Sequence, residues 1–211
     1  MYGTIHVVKD ISEIPLDHLD APVEDDHHHG AMPARQFVRK WKVEDLLATL
    51  EQAEQNRSFV KGEMLFKTIA CASCHQMRGE GAKVGPELTL VKQKLMEGKI
   101  DRVRILTEMI EPSKVIDEKF RTQIIITDEG KPYSGVVVEE NDEMLKLMTN
   151  PLEKNAKAIE IAKDEIDERA NSKISLMPEG LLNTLTKQEI YDLLIFIETA
   201  GNADDPVYDK Q

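Results

Sequence analysis

Residues 58–75 read Ser58-Phe-Val-Lys-Gly62-Glu-Met-Leu-Phe66-Lys-Thr-Ile69-Ala-Cys71-Ala-Ser-Cys74-His75. The spacing predicts a helix from about Ser58 to Ile69, with Ser58 as a plausible N-cap. Phe59, Gly62 and Phe66 fall at i, i+3 and i+7, on one face. A glycine inside a helix costs about 1 kcal/mol relative to alanine. That cost is acceptable where a second helix must come close. The helix then runs into two cysteines three residues apart, with a histidine directly after the second.

These are the chain's only two cysteines, which excludes a disulfide framework. Their pattern, C-x-x-C-H, is the attachment signature of a c-type haem. Two thiols three residues apart on one turn reach the two vinyl groups of a haem and form thioethers. The adjacent imidazole then stands under the iron as its first axial ligand. A structural zinc site would need two more ligands at Cys/His spacing, and there is no third cysteine. A thioredoxin-like redox pair belongs between a strand and a helix in a βαβ unit, whereas here a helix precedes the motif.

Composition narrows the class. The 211 residues carry a net charge of −12, with 41% hydrophobic residues, enough to bury a core. An acidic balance argues against a general nucleic-acid or anionic-membrane binder, because both are polyanions. No apolar run approaches the roughly 18 residues of a membrane helix, and no signal peptide is recognisable. The charge is uneven. Residues 57–121 hold 13 basic and 9 acidic residues, while residues 1–56 are net −6 and residues 122–211 net −10. The basic stretch contains the motif. It reads either as an ordinary solvated surface or as a docking face for an acidic partner, steered by charge and weakened by salt.

Residues 2–8 read as a short strand, and 10–36 as an acidic linker containing His27-His28-His29. The histidine run reads as solvated linker in preference to a loose metal site. Order is expected to resume at Phe37–Trp41. A first helix is predicted over 43–55 with Leu46, Leu47 and Leu50 on one side, and a third over Ile100–Ile110, stopping at Glu111-Pro112. Phe120–Thr127, Tyr133–Glu139, Glu143–Thr149 and Ala156–Ala162 are β-rich segments separated by turns. Val136/Val138, Leu145/Leu147 and Ile159/Ile161 alternate with period two. They predict a small antiparallel sheet or barrel of four or five strands, with Ile166 and Ile174 candidates for a last one. Thr186-Lys-Gln-Glu189 is a capping box opening a helix with Ile190, Leu193, Leu194 and Ile197 on one face. Gly201 supplies the stop, and Asp204 onward is expected to fray.

The Gly62/Phe66 helix leading into Cys71–His75, and the capped helix at 187–199 with Tyr191 and Phe196, resemble the first and last helices of the class I c-type cytochromes. Gly85-Pro86-Glu87-Leu88 resembles that family's G-P-x-L segment. The resemblance implies that the Pro86 carbonyl accepts a hydrogen bond from the His75 ring, orienting the ligand. Met177, in Ser175-Leu-Met-Pro-Glu-Gly-Leu181, resembles the family's M-P loop and is the expected second axial ligand. Met64, Met96 and Met109 lie on or near helices and read as core filler, as Met144 and Met148 do on a strand. Met77 is too near the motif to reach the opposite haem face. The long separation of His75 from Met177, with Glu111-Pro-Ser-Lys-Val-Ile116 and the Ser175–Leu181 wording, resembles a subfamily of haem-binding domains at the C-termini of large bacterial redox proteins. Met1-Tyr-Gly-Thr-Ile-His-Val-Val8 is similar to the final strand of a cupredoxin.

The expected fold is therefore mainly α: a class I cytochrome c helical fold over 37–203 with a β insertion at about 119–175. Residues 1–9 would be a strand, either an ordinary one or part of a cupredoxin-like domain, 10–36 a linker and 204–211 a tail. The expected function is single-electron transfer through one covalent haem c, with Cys71, Cys74, His75, Pro86 and Met177 as its residues and His75 and Met177 as iron ligands. A five-coordinate haem acting as peroxidase or gas sensor is the alternative, and a zinc-stabilised interaction module a third. The expected partner is a redox protein, such as a copper protein or a larger oxidoreductase. Copper enters only if a cupredoxin domain lies upstream. Haem attachment implies a periplasmic or equivalent compartment, and the missing export signal fits a processed or partial chain.

Overall fold

The computed structural model divides the chain into two units, Met1–Arg35 and Gln36–Gln211. It describes residues 35–150 and 157–209. The expected strand at 2–8, the 10–34 stretch and the histidine run all lie outside the described residues.

Five α-helices occur among those residues: α1 (Glu44–Leu47), α2 (Phe59–Thr68), α3 (Val91–Met96), α4 (Arg102–Ile110) and α5 (Lys187–Glu198). Between α4 and α5 in sequence stand five strands: β1 (Thr122–Thr127), β2 (Pro132–Glu140), β3 (Met144–Met148), β4 (Ile159–Ala162) and β5 (Ile166–Asn171). The expectation of a mainly α protein is thus overturned. The fold is mixed, because the helices are short and all the β-rich segments pair into one antiparallel sheet. No helix among the described residues is long and apolar enough to cross a membrane.

α5 is the centre of the helical part. Every residue from Ile190 to Glu198 is buried, so the two acids of that stretch, Asp192 and Glu198, need partners. Asp192 Oδ1 accepts the Ser58 N–H at 3.0 Å, and Glu198 takes Arg102 through two bonds of 2.7 Å. α2 lies against α5 at Gly62. A Cβ there would meet the Asp192 carbonyl oxygen at 2.5 Å and Phe196 Cβ at 2.6 Å. The rings of Phe59 and Phe66 stand 5.4 and 5.5 Å from that of Phe196. α2 begins as its sequence predicts, with the Ser58 side chain accepting from Lys61 N–H, and the capping box of α5 is complete.

Three expectations about the helical part need correction. The helix predicted over 43–55 breaks into α1 and a 3-10 turn at Leu50–Glu54. Leu46 is fully buried but Leu47 is 41% exposed. The break falls at Thr49, whose hydroxyl bonds the Tyr191 hydroxyl at 2.6 Å, while Tyr191 donates to Leu46 O at 3.0 Å. The α3 helix has no counterpart in the sequence reading. Finally, residues 204–209 do not fray. Asp205 pairs with Lys92, Val207 is buried, and Tyr208 stacks edge-on against Phe59 at 5.6 Å.

The strand order is β4-β3-β2-β1-β5. β4 and β5 therefore sit at opposite edges although only Lys163–Glu165 join them. A flat sheet would hold them about 19 Å apart, at roughly 4.8 Å per strand. The four steps from Ala162 to Ile166 span at most about 14 Å when fully extended, and Lys163–Glu165 form a shorter 3-10 turn. The sheet must curl, bringing its edges together around Ile125, Leu145, Leu147 and Ile161, its separate buried core. On β2 it is Val137 that packs against this core, while Val138 is 55% exposed. The predicted Val136/Val138 pair is displaced because the register shifts between Val137 and Glu139. β5 ends at Asn171, so Ile174 is not part of it.

Candidate functional site

α2 ends at Thr68 with Ile69 as its C-cap, and Ala70 takes a left-handed conformation (φ 68°) before a 3-10 turn over Cys71–Ser73. A non-glycine residue there costs roughly 1–2 kcal/mol. The turn it starts is closed by Ser73 N–H to Ala70 O, and by the Cys74 and His75 N–H groups both to Cys71 O. Cys71, Cys74 and His75 are thereby carried on one turn.

The following loop is fastened to this turn by backbone bonds. Ala82 N–H donates to Ala72 O, Val84 and Gly85 N–H to Cys74 O, and Leu88 N–H to Gln76 O. Gly81 (φ 93°) lies so close that a Cβ would stand 2.2 Å from His75 O. Gly85 lies against the imidazole: a Cβ there would be 2.8 Å from Cε1 and 3.1 Å from Nδ1. The next residue, Pro86, has its carbonyl oxygen 2.8 Å from His75 Nδ1. A carbonyl only accepts, so the ring proton of a neutral His75 sits on Nδ1 and the Nε2 lone pair is free for a metal.

Cys71 is buried, Cys74 is half-buried, and both are free thiols. Burial, aided by neighbouring Cys74, pushes the Cys71 thiol up to about 12, and burial raises that of Cys74 as well. Redox-active C-x-x-C pairs have lowered thiols, the opposite trend. Among the described residues no group of three His, Cys, Asp or Glu side chains is disposed to hold a metal ion.

Met177 lies apart from this turn, in the irregular stretch between β5 and the 3-10 turn at Leu181–Thr184. Its side chain is half-buried, and its N–H donates to Ser175 Oγ at 3.1 Å. The structure therefore brings Cys71, Cys74, His75 and Pro86 together and carries Met177 on a separate loop. Of the methionines read as core filler, Met109 is buried, but Met96 at the end of α3 is 80% exposed. The sequence reading gave no role to Gly81 and Gly85 as contacts of His75. The Gly79-Glu-Gly81 spacing signals a tight turn, but nothing local tells which residue it packs against.

The cytochrome c family model matches residues 59–129. The match supports a c-type cytochrome domain. It supports a haem-binding electron-transfer protein and implies covalently bound haem c. No curated protein matches the chain. The residues of the matched stretch fit such a cofactor. Two free thiols share one turn with an imidazole whose Nδ1 lies 2.8 Å from the Pro86 carbonyl oxygen, which leaves Nε2 as the nitrogen to meet a metal.

Proposed function

We propose that the chain is a monohaem c-type cytochrome that passes single electrons between redox partners. Cys71 and Cys74 hold the haem, and His75 and Met177 are its two axial ligands. The observation that carries this reading is the 2.8 Å contact from His75 Nδ1 to Pro86 O, which aims Nε2 away from the loop. Gly85 allows the loop backbone to lie flat against the ring and fix its plane. Met177 is supported by its half-buried side chain in a non-helical stretch ahead of Pro178. When bound, haem c supplies a one-electron ferric–ferrous couple, at a potential that His/Met ligation raises. Cys71 belongs to the helical core, so the chain keeps the attachment side dry.

In this reading the cytochrome domain spans 37–203, and the sheet is an insertion at about 119–175. The basic stretch 57–121 faces an acidic redox partner, and thiol–haem attachment assigns the mature protein to the periplasm or an equivalent compartment. A copper partner enters only if the sequence upstream of Met1 carries a Cys and two His at cupredoxin spacing.

Optical spectra of the matured protein test the proposal. A low-spin ferric spectrum with the weak red Met–iron charge-transfer band, and haem retained through acid–acetone extraction, is expected. A high-spin spectrum would move the reading to an open-site peroxidase or gas sensor. A colourless protein with the mass of the bare chain would end it.

A further inference from the structure

The segment Glu111–Ile116 follows α4 and has no part in the motif or its loop. Its neighbours give it a role. The Ser113 hydroxyl accepts the Ser175 N–H at 3.1 Å, and the Ser175 hydroxyl accepts the Met177 N–H at 3.1 Å. Two serines thus pass a fixed position from residue 113 to the backbone of residue 177. Close by, one guanidinium ties three stretches together. Arg121 donates from Nη2 to Ile116 O at 3.0 Å, from Nη1 to Ser172 O at 3.3 Å, and from Nε to Glu118 at 2.9 Å. The planar five-donor fork of arginine suits this three-way bond, and a lysine point charge does not. Both ends of the arrangement are anchored. Met109 and Pro112 are buried where α4 ends. At the other end Ser172 N–H donates to Thr122 O at 2.8 Å, at the start of β1.

We infer that Glu111–Ile116 and Arg121 form a clip that holds the Met177 loop in place, with Ser113 and Arg121 as positioning residues. The inference rests on Met177 being the second axial ligand. The two bonds that join clip to loop, Ser175 N–H to the Ser113 hydroxyl and Arg121 Nη1 to Ser172 O, both go to the loop's backbone, so the clip sets where the loop runs and leaves its side chains free to face the haem. Loosening it frees the thioether to leave the iron without unfolding the helices.

The test uses haem-loaded ferric protein carrying Ser113→Ala, Arg121→Gln, Ser113→Thr or Met177→Ala. Two quantities are read beside the denaturation midpoint: the rate at which added imidazole replaces the sixth ligand, and amide exchange over residues 172–177. Ser113→Ala and Arg121→Gln are each expected to raise both by roughly five- to tenfold, the factor one lost hydrogen bond is worth. Ser113→Thr keeps the hydroxyl and is expected to match the parent. Unchanged imidazole entry in both variants overturns the inference, even if the loop's amides exchange faster, because the clip would then not position the ligand. Met177→Ala separates the two layers. If the red charge-transfer band survives it, the axial-ligand assignment falls and takes the positioning role with it. If the band is lost while Ser113→Ala and Arg121→Gln keep parental rates, only the clip falls.

Discussion

Gly85 and His75 are in such close contact that a methyl group on the Gly85 Cα would stand 2.8 Å from the ring's Cε1. The loop holds the imidazole by bulk on one side and by the Pro86 carbonyl at its Nδ1–H. Gly85→Ala must therefore push the ring or the loop. Overpacking of this kind costs about 1–3 kcal/mol. A lower guanidinium midpoint is expected, together with a perturbed axial-ligand spectrum in whatever protein matures.

Gly62→Ala sets two effects against each other. In an exposed helix the change gains about 1 kcal/mol. Here the new Cβ would lie 2.5 Å from the Asp192 carbonyl oxygen on α5, and backbone cannot step aside as a flexible side-chain tip does. The clash should win, with a net loss of about 1–2 kcal/mol. Chemical denaturation reads the sign directly, and a stabilised variant would contradict the close crossing of α2 and α5.

Arg102 bonds both oxygens of Glu198 at 2.7 Å and Glu54 at 2.8 Å. The Glu198 side chain is only 8% exposed. Arg102→Met leaves that carboxylate unpaired, at a cost near the lower end of the about 3–5 kcal/mol typical of broken buried pairs. Adding Glu198→Leu should recover most of the loss. A double-mutant cycle on denaturation midpoints checks both statements.

Glu140 on β2 bonds Arg169 of β5 at 2.8 and 2.9 Å and pairs with Lys163. These cations, Arg169 first, hold its carboxyl at about 2, below the ordinary 4.5. Because the folded value is the lower one, the stabilisation is complete above about pH 4.5 and is lost as the pH falls through about 2. The pairing is exposed, so its worth is within about 1 kcal/mol. Melting curves of Glu140→Gln should lie below those of the parent at neutral pH and converge with them between pH 4.5 and 2.

Signals carried by neighbouring residues were readable, and those set by distant ones were not. Ser58 and the Thr186/Glu189 box mark the starts of α2 and α5 through bonds made within one turn. The period-two pairs of β3 and β4 state their inward faces correctly, since Leu145, Leu147 and Ile161 are all buried. By contrast, the break in the first helix depends on Tyr191, 142 positions from Thr49. The order at the C-terminus depends on Lys92 and Phe59. α3 has only six residues, too few for a periodic signal. The class is mixed and not mainly α because the helices are short and five strands pair into one sheet, a pairing no single segment announces. At the site, Cys71, Cys74 and His75 are legible as a spacing, while the packing of Gly81 and Gly85 against His75 comes from a loop folding back.

The curled sheet begins at Thr122, and the first residue after it, Ser172, donates its amide to the Thr122 carbonyl at 2.8 Å. The chain thus departs from the helical part and returns to it through a single doorway. At that doorway the Ser172–Thr122 bond is reinforced by Arg121, which donates to Ser172 O at 3.3 Å. A lineage can lengthen, shorten or exchange such an appendage without moving the ends of α4 or α5, because a short hairpin bridging the doorway leaves both footings where they stand.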